Sequence, residues 1–144
     1  MLRYMIYTKH KQGTVSELLA ASYFADKGYI VSRPIDTYQE YDLIIDKDNI
    51  LSRIQVKTIY WDNSKSRYLI SLVTSHIRGN GRRTNKKYHN NSFDYLVGIE
   101  KETYALYQIP IKIITGRRSM TVYPKGKPKT VNNRFNDFEQ YRLR

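Results

Sequence analysis

The sequence predicts an α/β domain with a central mixed β-sheet, and three observations carry that reading. One strongly helical stretch precedes a series of short β-branched runs, and turn residues punctuate those runs. With 40% hydrophobic residues in 144, the chain can bury one core and is not compositionally disordered. At this length a single domain over residues 1–144 is expected.

The elements follow in order. Thr14 to about Lys27 reads as a helix. Thr14-Val15-Ser16-Glu17 has the form of a capping box, and Gly28 sits where a C-terminal glycine belongs. On that helix Glu17 borders the apolar face of Ala20, Ala21 and Phe24, while Ser16, Tyr23 and Lys27 form a polar stripe. Tyr29 to Arg33 is a short strand stopped by Pro34. Tyr41 to Asp46 is a second, closed by the polar turn Asp46-Lys47-Asp48-Asn49; Ile50 to Tyr60 and Tyr68 to Thr74 follow.

From Ser75 to Ser92 the chain turns polar, with Gly79, Gly81 and five Lys/Arg, and reads as a long loop with room for a short helix. Tyr95–Ile99 and Thr103–Gln108 form a strand pair across Glu100-Lys101-Glu102. Pro110 opens a short helix, Ile111–Thr115, ended by Gly116. Met120–Tyr123 is a late strand, and Phe135, Phe138 and Tyr141, spaced by threes, dock the tail.

The net charge of +12 is unevenly placed. Residues 1–62 carry 8 basic and 8 acidic side chains, whereas residues 63–144 carry 17 basic and 5 acidic. Asn63–Phe93 and Thr103–Asn136 each hold seven Lys/Arg and no acid. A solubilising surface mixes both signs, whereas a single-sign field attracts a polyanion. Nucleic acid is the expected partner.

Other classes are disfavoured. No apolar run approaches the length of a membrane span, and the start is too polar for a secretory signal. With no cysteine there is no disulfide scaffold or thiolate metal site. His76 and His89 lack a third ligand nearby, which argues against zinc. A phosphate-binding Gly-rich loop and a nucleophile elbow are both missing, and no small-molecule substrate is expected. A cytoplasmic, nucleoid-associated protein is the expectation.

Four residues stand out: Glu17, Asp42, Gln55 and Lys57. Glu17 is either a capping residue or a carboxylate turned toward the core. Asp42, opening Tyr41-Asp42-Leu43-Ile44-Ile45, is either a strand-edge charge or a ligand. In Arg53-Ile54-Gln55-Val56-Lys57 the alternation puts Gln55 and Lys57 on one face and Ile54 and Val56 on the other. Two adjacent strands can bring Asp42, Gln55 and Lys57 together; the alternative is a pair of solvated polar residues.

In order, element type and spacing these residues resemble the PD-(D/E)XK nucleases, the restriction-endonuclease-like superfamily. The resemblance covers roughly residues 13–112: Glu17 on a helix, Asp42 at a strand start, Gln55-Val56-Lys57 on the next strand, and Phe93–Ile99 with Tyr107–Pro110 as the downstream pair. Two departures stand out: no proline precedes Asp42, and Gln55 replaces the usual acid, removing one negative charge. The Gln-x-Lys variant is similar to that of a group I intron-encoded bacterial homing endonuclease.

The resemblance implies a restriction-endonuclease-like core, a mixed sheet flanked by helices. It also implies a site-specific double-stranded DNA endonuclease using Mg²⁺, or Mn²⁺ in its place. Phosphodiester hydrolysis needs a cation to offset developing charge and acidify a water. The implied ligands are Asp42, the Gln55 side-chain oxygen, the Val56 carbonyl and Glu17, with Lys57 orienting the water. The basic stretch around 75–92 is then the DNA-reading insertion, with His76, Arg78, Asn80, Arg82, Arg83, Asn85, Lys86 and Lys87 as candidate contacts. Arg117 and Arg118 in the basic extension 116–144, with Lys125, Lys127 and Lys129, would meet the backbone. One site per chain implies a homo-oligomer, dimer or tetramer. A four-way (Holliday) junction resolvase, a restriction endonuclease and a non-catalytic DNA-binding protein are the alternatives.

Overall fold

The computed structural model describes residues 2–36, 38–77, 79–122 and 138–144, with side chains from Thr8 onward except those of His76, Ile77, Arg83, Val122 and Phe138. The chain runs α1 (Leu2–Asp26), β1 (Ile30–Ser32), β2 (Leu43–Lys47), β3 (Ile50–Asp62), β4 (Arg67–Ser71), β5 (Val73–Ile77) and β6 (Arg83–Lys87). It continues with β7 (Tyr95–Glu100), β8 (Leu106–Pro110), α2 (Ile111–Ile114), β9 (Ser119–Val122) and a 3₁₀ turn (Phe138–Tyr141). Among the described residues no helix is long and apolar enough to cross a membrane.

The expected capping box does not form. α1 begins at Leu2, so Thr14 lies within it, and the Thr14 hydroxyl donates to the His10 carbonyl one turn back (3.3 Å). Thr14 and Glu17 carry a helix-start pattern, but the residues before them continue the helix, so no backbone N–H is left for capping. The other end is as expected. Gly28 adopts φ 81°, its N–H bonds to the Ala25 carbonyl and that of Tyr29 to the Phe24 carbonyl, closing a Schellman motif.

The sheet is mixed. β1, β2 and β3 are antiparallel neighbours, β7 joins β3 in parallel, and β8 is antiparallel to β7. The far end of β3 pairs with β4, which pairs with β9. Between β2 and β3 the chain reverses through Asp48 and Asn49, both at positive φ (56° and 62°), as a two-residue type I′ turn requires. That turn sets Leu43 opposite Ile54, and each following residue in step. At the start of the parallel pair, Asp94 accepts from the Arg53 N–H (2.7 Å) and from its guanidinium (3.3 Å), while the Asp94 N–H donates to the Arg53 carbonyl.

Alternation along β3 splits the interior into two cores. On one face Leu43, Ile45, Ile54, Val56, Val97 and Ile99 pack beneath Ala20 and Phe24 of α1. Ser16, expected on a polar stripe, is 1% exposed because it shares this inner face, where its hydroxyl bonds that of Thr58 (2.8 Å). On the other face Ile59, Ile70, Leu72, Leu96 and Ile109 pack with Tyr88, Phe93 and Ile114 of α2. The 3₁₀ turn docks as expected of the tail: Tyr141 packs on this second core, and the Leu143 N–H bonds the Leu106 carbonyl. Phe135 lies outside the described residues.

Two further expectations change. The Tyr68–Thr74 strand is broken at Leu72, whose side chain is fully buried and whose N–H bonds the Arg118 carbonyl (2.9 Å). Ser75–Ser92 is not a loop: β5 and β6 form a separate two-stranded ribbon, His76 pairing Thr84 and Ser75 pairing Asn85. Its polar composition hid the strands: Ser75, Asn85, Lys86 and Lys87 are exposed, so no apolar alternation marks them.

Gly98, opposite Lys57 on the parallel pair, is where packing is tightest. A Cβ there would lie 2.9 Å from Ile59 Cδ1. Gly98→Ala is expected to destabilise the fold by about 1–3 kcal/mol through overpacking. Adding Ile59→Val, which deletes that methyl, recovers part of the loss; chemical denaturation of the three proteins measures both.

Candidate active site

Asp42 lies just before the first paired residue of β2, Leu43 opposite Ile54; its N–H bonds the same Ile54 carbonyl (2.8 Å), and its side chain reaches over Gln55 and Val56. Two residues beyond Gln55, Lys57 occupies the same face. Three of the four expected residues therefore meet on the face away from α1. Glu17, one turn before Ala20 and Ala21 on α1, reaches the same cleft from the side. The cleft, about 240 Å³, is lined by Glu17, Arg33, Asp36, Gln39, Tyr41 and Asp42.

One oxygen of Asp42, Oδ2, accepts from the Val56 N–H (2.8 Å) and from Gln55 Nε2 (2.7 Å). Gln55 Nε2 also donates to the Val56 carbonyl (3.2 Å). The glutamine thus turns its amide nitrogen, not its oxygen, toward the two groups expected to be its co-ligands. Both are acceptors, and only an N–H₂ can satisfy them together.

Lys57 does not ion-pair with Asp42. Its Nζ donates to the Val73 carbonyl (3.3 Å) and lies 5.7 Å from the centre of the Tyr88 ring. Burial pulls the Lys57 ammonium below its usual range, with the Asp42 charge opposing. Burial pushes Asp42 up, against the Val56 N–H, Lys57 and Arg33. Glu17 is raised by burial first and by the neighbouring Asp42 charge second, while Arg33 works the other way.

Sequence reasoning missed Arg33 and Glu40. Arg33 Nη2 lies 2.6 Å from Glu17 Oε2, and nothing in Ser32-Arg33-Pro34 marks that contact. Glu40 is paired with Lys86 and His89, both at 3.4 Å, tying the root of the ribbon to the segment that enters Asp42. Its place two residues before Asp42 was the one available signal.

Of the expected DNA contacts, Asn80, Arg82, Asn85, Lys86 and Lys87 are exposed on or beside the ribbon, and Arg117 and Arg118 are exposed in the turn that abuts its root at Leu72. The side chains of His76 and Arg83, and Arg78, Lys125, Lys127 and Lys129 entirely, lie outside the described residues.

The chain belongs to the PD-(D/E)XK endonuclease family, whose sequence profile matches residues 7–144. It is a nuclease, and the family implies a DNA substrate. Among particular proteins, it is similar to Protein 5.3 of Escherichia phage T7, 29% identical over 119 residues that cover 83% of this chain and 94% of the phage protein. The fold is similar to that of the bacterial homing endonuclease I-Ssp6803I: TM-score 0.78, 20% identity, covering 92% of this chain and 87% of that one. A lesser likeness is to MepB, with TM-score 0.50, 16% identity, and coverage of 79% and 84%.

Nucleases of this family usually use divalent metals. Among the described residues no three Asp, Glu or His side chains cluster closely enough to hold an ion by themselves. The donor set around Asp42 is mixed instead. Because one Gln55 nitrogen touches both Asp42 Oδ2 and the Val56 carbonyl, a single positive centre can be shared by those two oxygens. A hard cation that keeps several waters fits such a sparse set.

Asp42→Asn tests the electrostatics. Since burial raises the folded carboxyl pKa, the fold holds the proton more tightly than the unfolded chain, and ionisation removes stability as pH climbs through the raised pKa. An amide oxygen can accept both bonds now made to Oδ2. The variant is expected to raise Tm by a few degrees at about pH 7.5 and to leave it unchanged at about pH 3, where both forms are neutral. Thermal scans at the two pH values check this.

Proposed function

We propose that the protein is a divalent-metal-dependent, site-specific double-stranded DNA endonuclease of the homing type, organised as one endonuclease domain with a DNA-reading ribbon. The observation that carries it is the convergence of Asp42, Gln55, the Val56 carbonyl and Lys57 on one sheet face, beside a cleft that Glu17 borders. Mg²⁺, or Mn²⁺ in its place, would be held by Asp42 and the Val56 carbonyl with help from Gln55 and Glu17. When bound it acidifies a water and offsets charge on the phosphate.

The side chains divide the remaining work. Asp42 is fixed by the Val56 N–H, so its carboxylate cannot rotate away. Gln55 can present its oxygen by turning its amide over. Lys57, held by the Val73 carbonyl and partly desolvated, is poised to orient the attacking water and to stabilise the pentacovalent transition state. Its lowered pKa brings proton exchange with that water closer to reach.

The ribbon supports the DNA reading. A two-stranded β-ribbon fits the major groove of B-DNA, and Arg and Asn are the residues that pair guanine and adenine there. Asn80 and Arg82 at its turn and Asn85 along β6 are the candidate base readers. Lys87, with Arg117 and Arg118 at the root, meets phosphates. Lys86, tied to Glu40, is the anchor that orients the ribbon. Each chain carries one such site, so cutting both strands calls for a pair of copies or a tetramer. A resolvase or restriction role would use the same site and differ in substrate shape or target length.

Cleavage selection on a randomised duplex library with Mg²⁺ reports activity, site length and symmetry together. Lys57→Ala is expected to lower cleavage by at least about 10²-fold while duplex binding stays within a few-fold. A wild-type protein that binds DNA yet cuts nothing in Mg²⁺ or Mn²⁺ sinks the enzyme reading and leaves a DNA-binding protein. On the ribbon, Lys87→Ala should weaken binding evenly across sequences and reduce the salt slope by about 1, whereas Asn85→Ala should relax preference at one base position. Salt-titrated binding to target and scrambled duplexes separates the two.

A further inference from the structure

The geometry points to Arg33 as a positioning residue of this site: it is the resident counter-ion of Glu17, competes with the divalent cation for that carboxylate, and yields when DNA phosphate arrives. This rests on the nuclease reading of the Asp42–Gln55–Lys57 face.

Three observations lead there. Arg33 follows β1 directly, where Pro34 limits the backbone, and it lines the same cleft as Asp42 and Glu17. Its guanidinium is 2.6 Å from Glu17 Oε2, a short charge-assisted contact. It also acts electrostatically on Asp42, which it does not touch. After burial, the Asp42 charge raises Glu17, and the Arg33 charge works against the shift at both carboxylates.

Of the four proposed cation ligands, Glu17, Asp42 and the Val56 carbonyl already have a donor. Arg33 is on Glu17, and Gln55 Nε2 is on both Asp42 Oδ2 and the Val56 carbonyl. The two donors differ in one respect. A glutamine amide can turn over in place and offer its oxygen, whereas a guanidinium has no acceptor and can only leave. Arg33 can leave readily, because its side chain is 58% exposed while that of Glu17 is 26% exposed.

Competition for one carboxylate has a thermodynamic consequence. An anion that draws Arg33 away raises the affinity of the cleft for a cation, and the cation raises affinity for the anion by the same factor. Duplex DNA supplies that anion. Cation binding to the free protein is then weak, and the full site assembles only on its substrate.

The test uses the intact protein and Ca²⁺, a hard oxygen-seeking ion, titrated calorimetrically with and without a short duplex carrying the selected site. Arg33→Gln is expected to bind Ca²⁺ about three- to tenfold more tightly than wild type in the absence of DNA. Duplex should tighten Ca²⁺ binding to wild type by a similar factor and to Arg33→Gln by much less, with Arg33→Lys between them. Equal Ca²⁺ affinities for wild type and Arg33→Gln, in a wild type that binds Ca²⁺ and cuts DNA with Mg²⁺, overturn the role of Arg33 alone. A wild type that neither binds Ca²⁺ nor cuts overturns the nuclease reading beneath it, and the proposal with it. Circular dichroism of Arg33→Gln keeps a folding defect from passing as either result.

Discussion

The structure depends on the register of the β2–β3 hairpin. Asp48 and Asn49, at positive φ, close the turn in two residues and leave no slack. Pairing Leu43 with Ile54 leaves Asp42 just beyond the paired strand, where its carboxylate meets the Gln55 amide and the Val56 N–H, and sheet alternation puts Lys57 on the face of Gln55. A slip of one residue would send Leu43 and Ile45 away from Phe24 and turn Asp42 into the core beneath α1. The apolar face and the polar site are therefore specified together, and neither can move without the other.

That register also explains why the polar face can be partly buried. Ile59 and Leu96 continue the same face into the second core, and Tyr88 and Phe93 pack over them. Gln55 and Lys57 lie at the rim of this core, where desolvation is strong enough to shift Lys57 and Asp42 but backbone partners remain within reach. Val56 supplies an N–H to Asp42, and Val73 supplies a carbonyl to Lys57. A half-buried carboxylate and a half-buried ammonium thus lie close without closing into an ion pair, each held by main chain.

The basic half of the sequence is joined to its neutral half along the β3–β7 and β3–β4 pairings, and the ribbon is tied in at its root. Glu40 grips Lys86 and His89, and Leu72 bonds to Arg118, so the ribbon and the 116–118 turn are rooted beside the segment that enters Asp42. In the proposed reading, a duplex lying along the ribbon is delivered to the Lys57 face by that attachment. Among the described residues, Lys86, Lys87, Arg117 and Arg118 of the basic half are exposed on or beside that ribbon.

How much was legible in the sequence follows from the range of the forces involved. The strand pair with Asp42 and Gln-x-Lys, the Gly28 helix stop, the Ile111 helix and the mixed sheet were all readable, because turn chemistry and apolar alternation act over a few residues. The ribbon at 73–87 was not, since strands paired only with each other and built largely of polar residues leave no apolar periodicity. The start of α1 was misread because Thr14 and Glu17 imitate a cap, and only the continuing chain denies it. Arg33 on Glu17, the Gln55 amide turned toward Asp42, and Glu40 on Lys86 were invisible for one shared reason. Each is a contact between elements, and its geometry exists only after the sheet has chosen its register. The sequence by itself determined which residues could do the chemistry; the tertiary structure decided which of them meet, and what already occupies them.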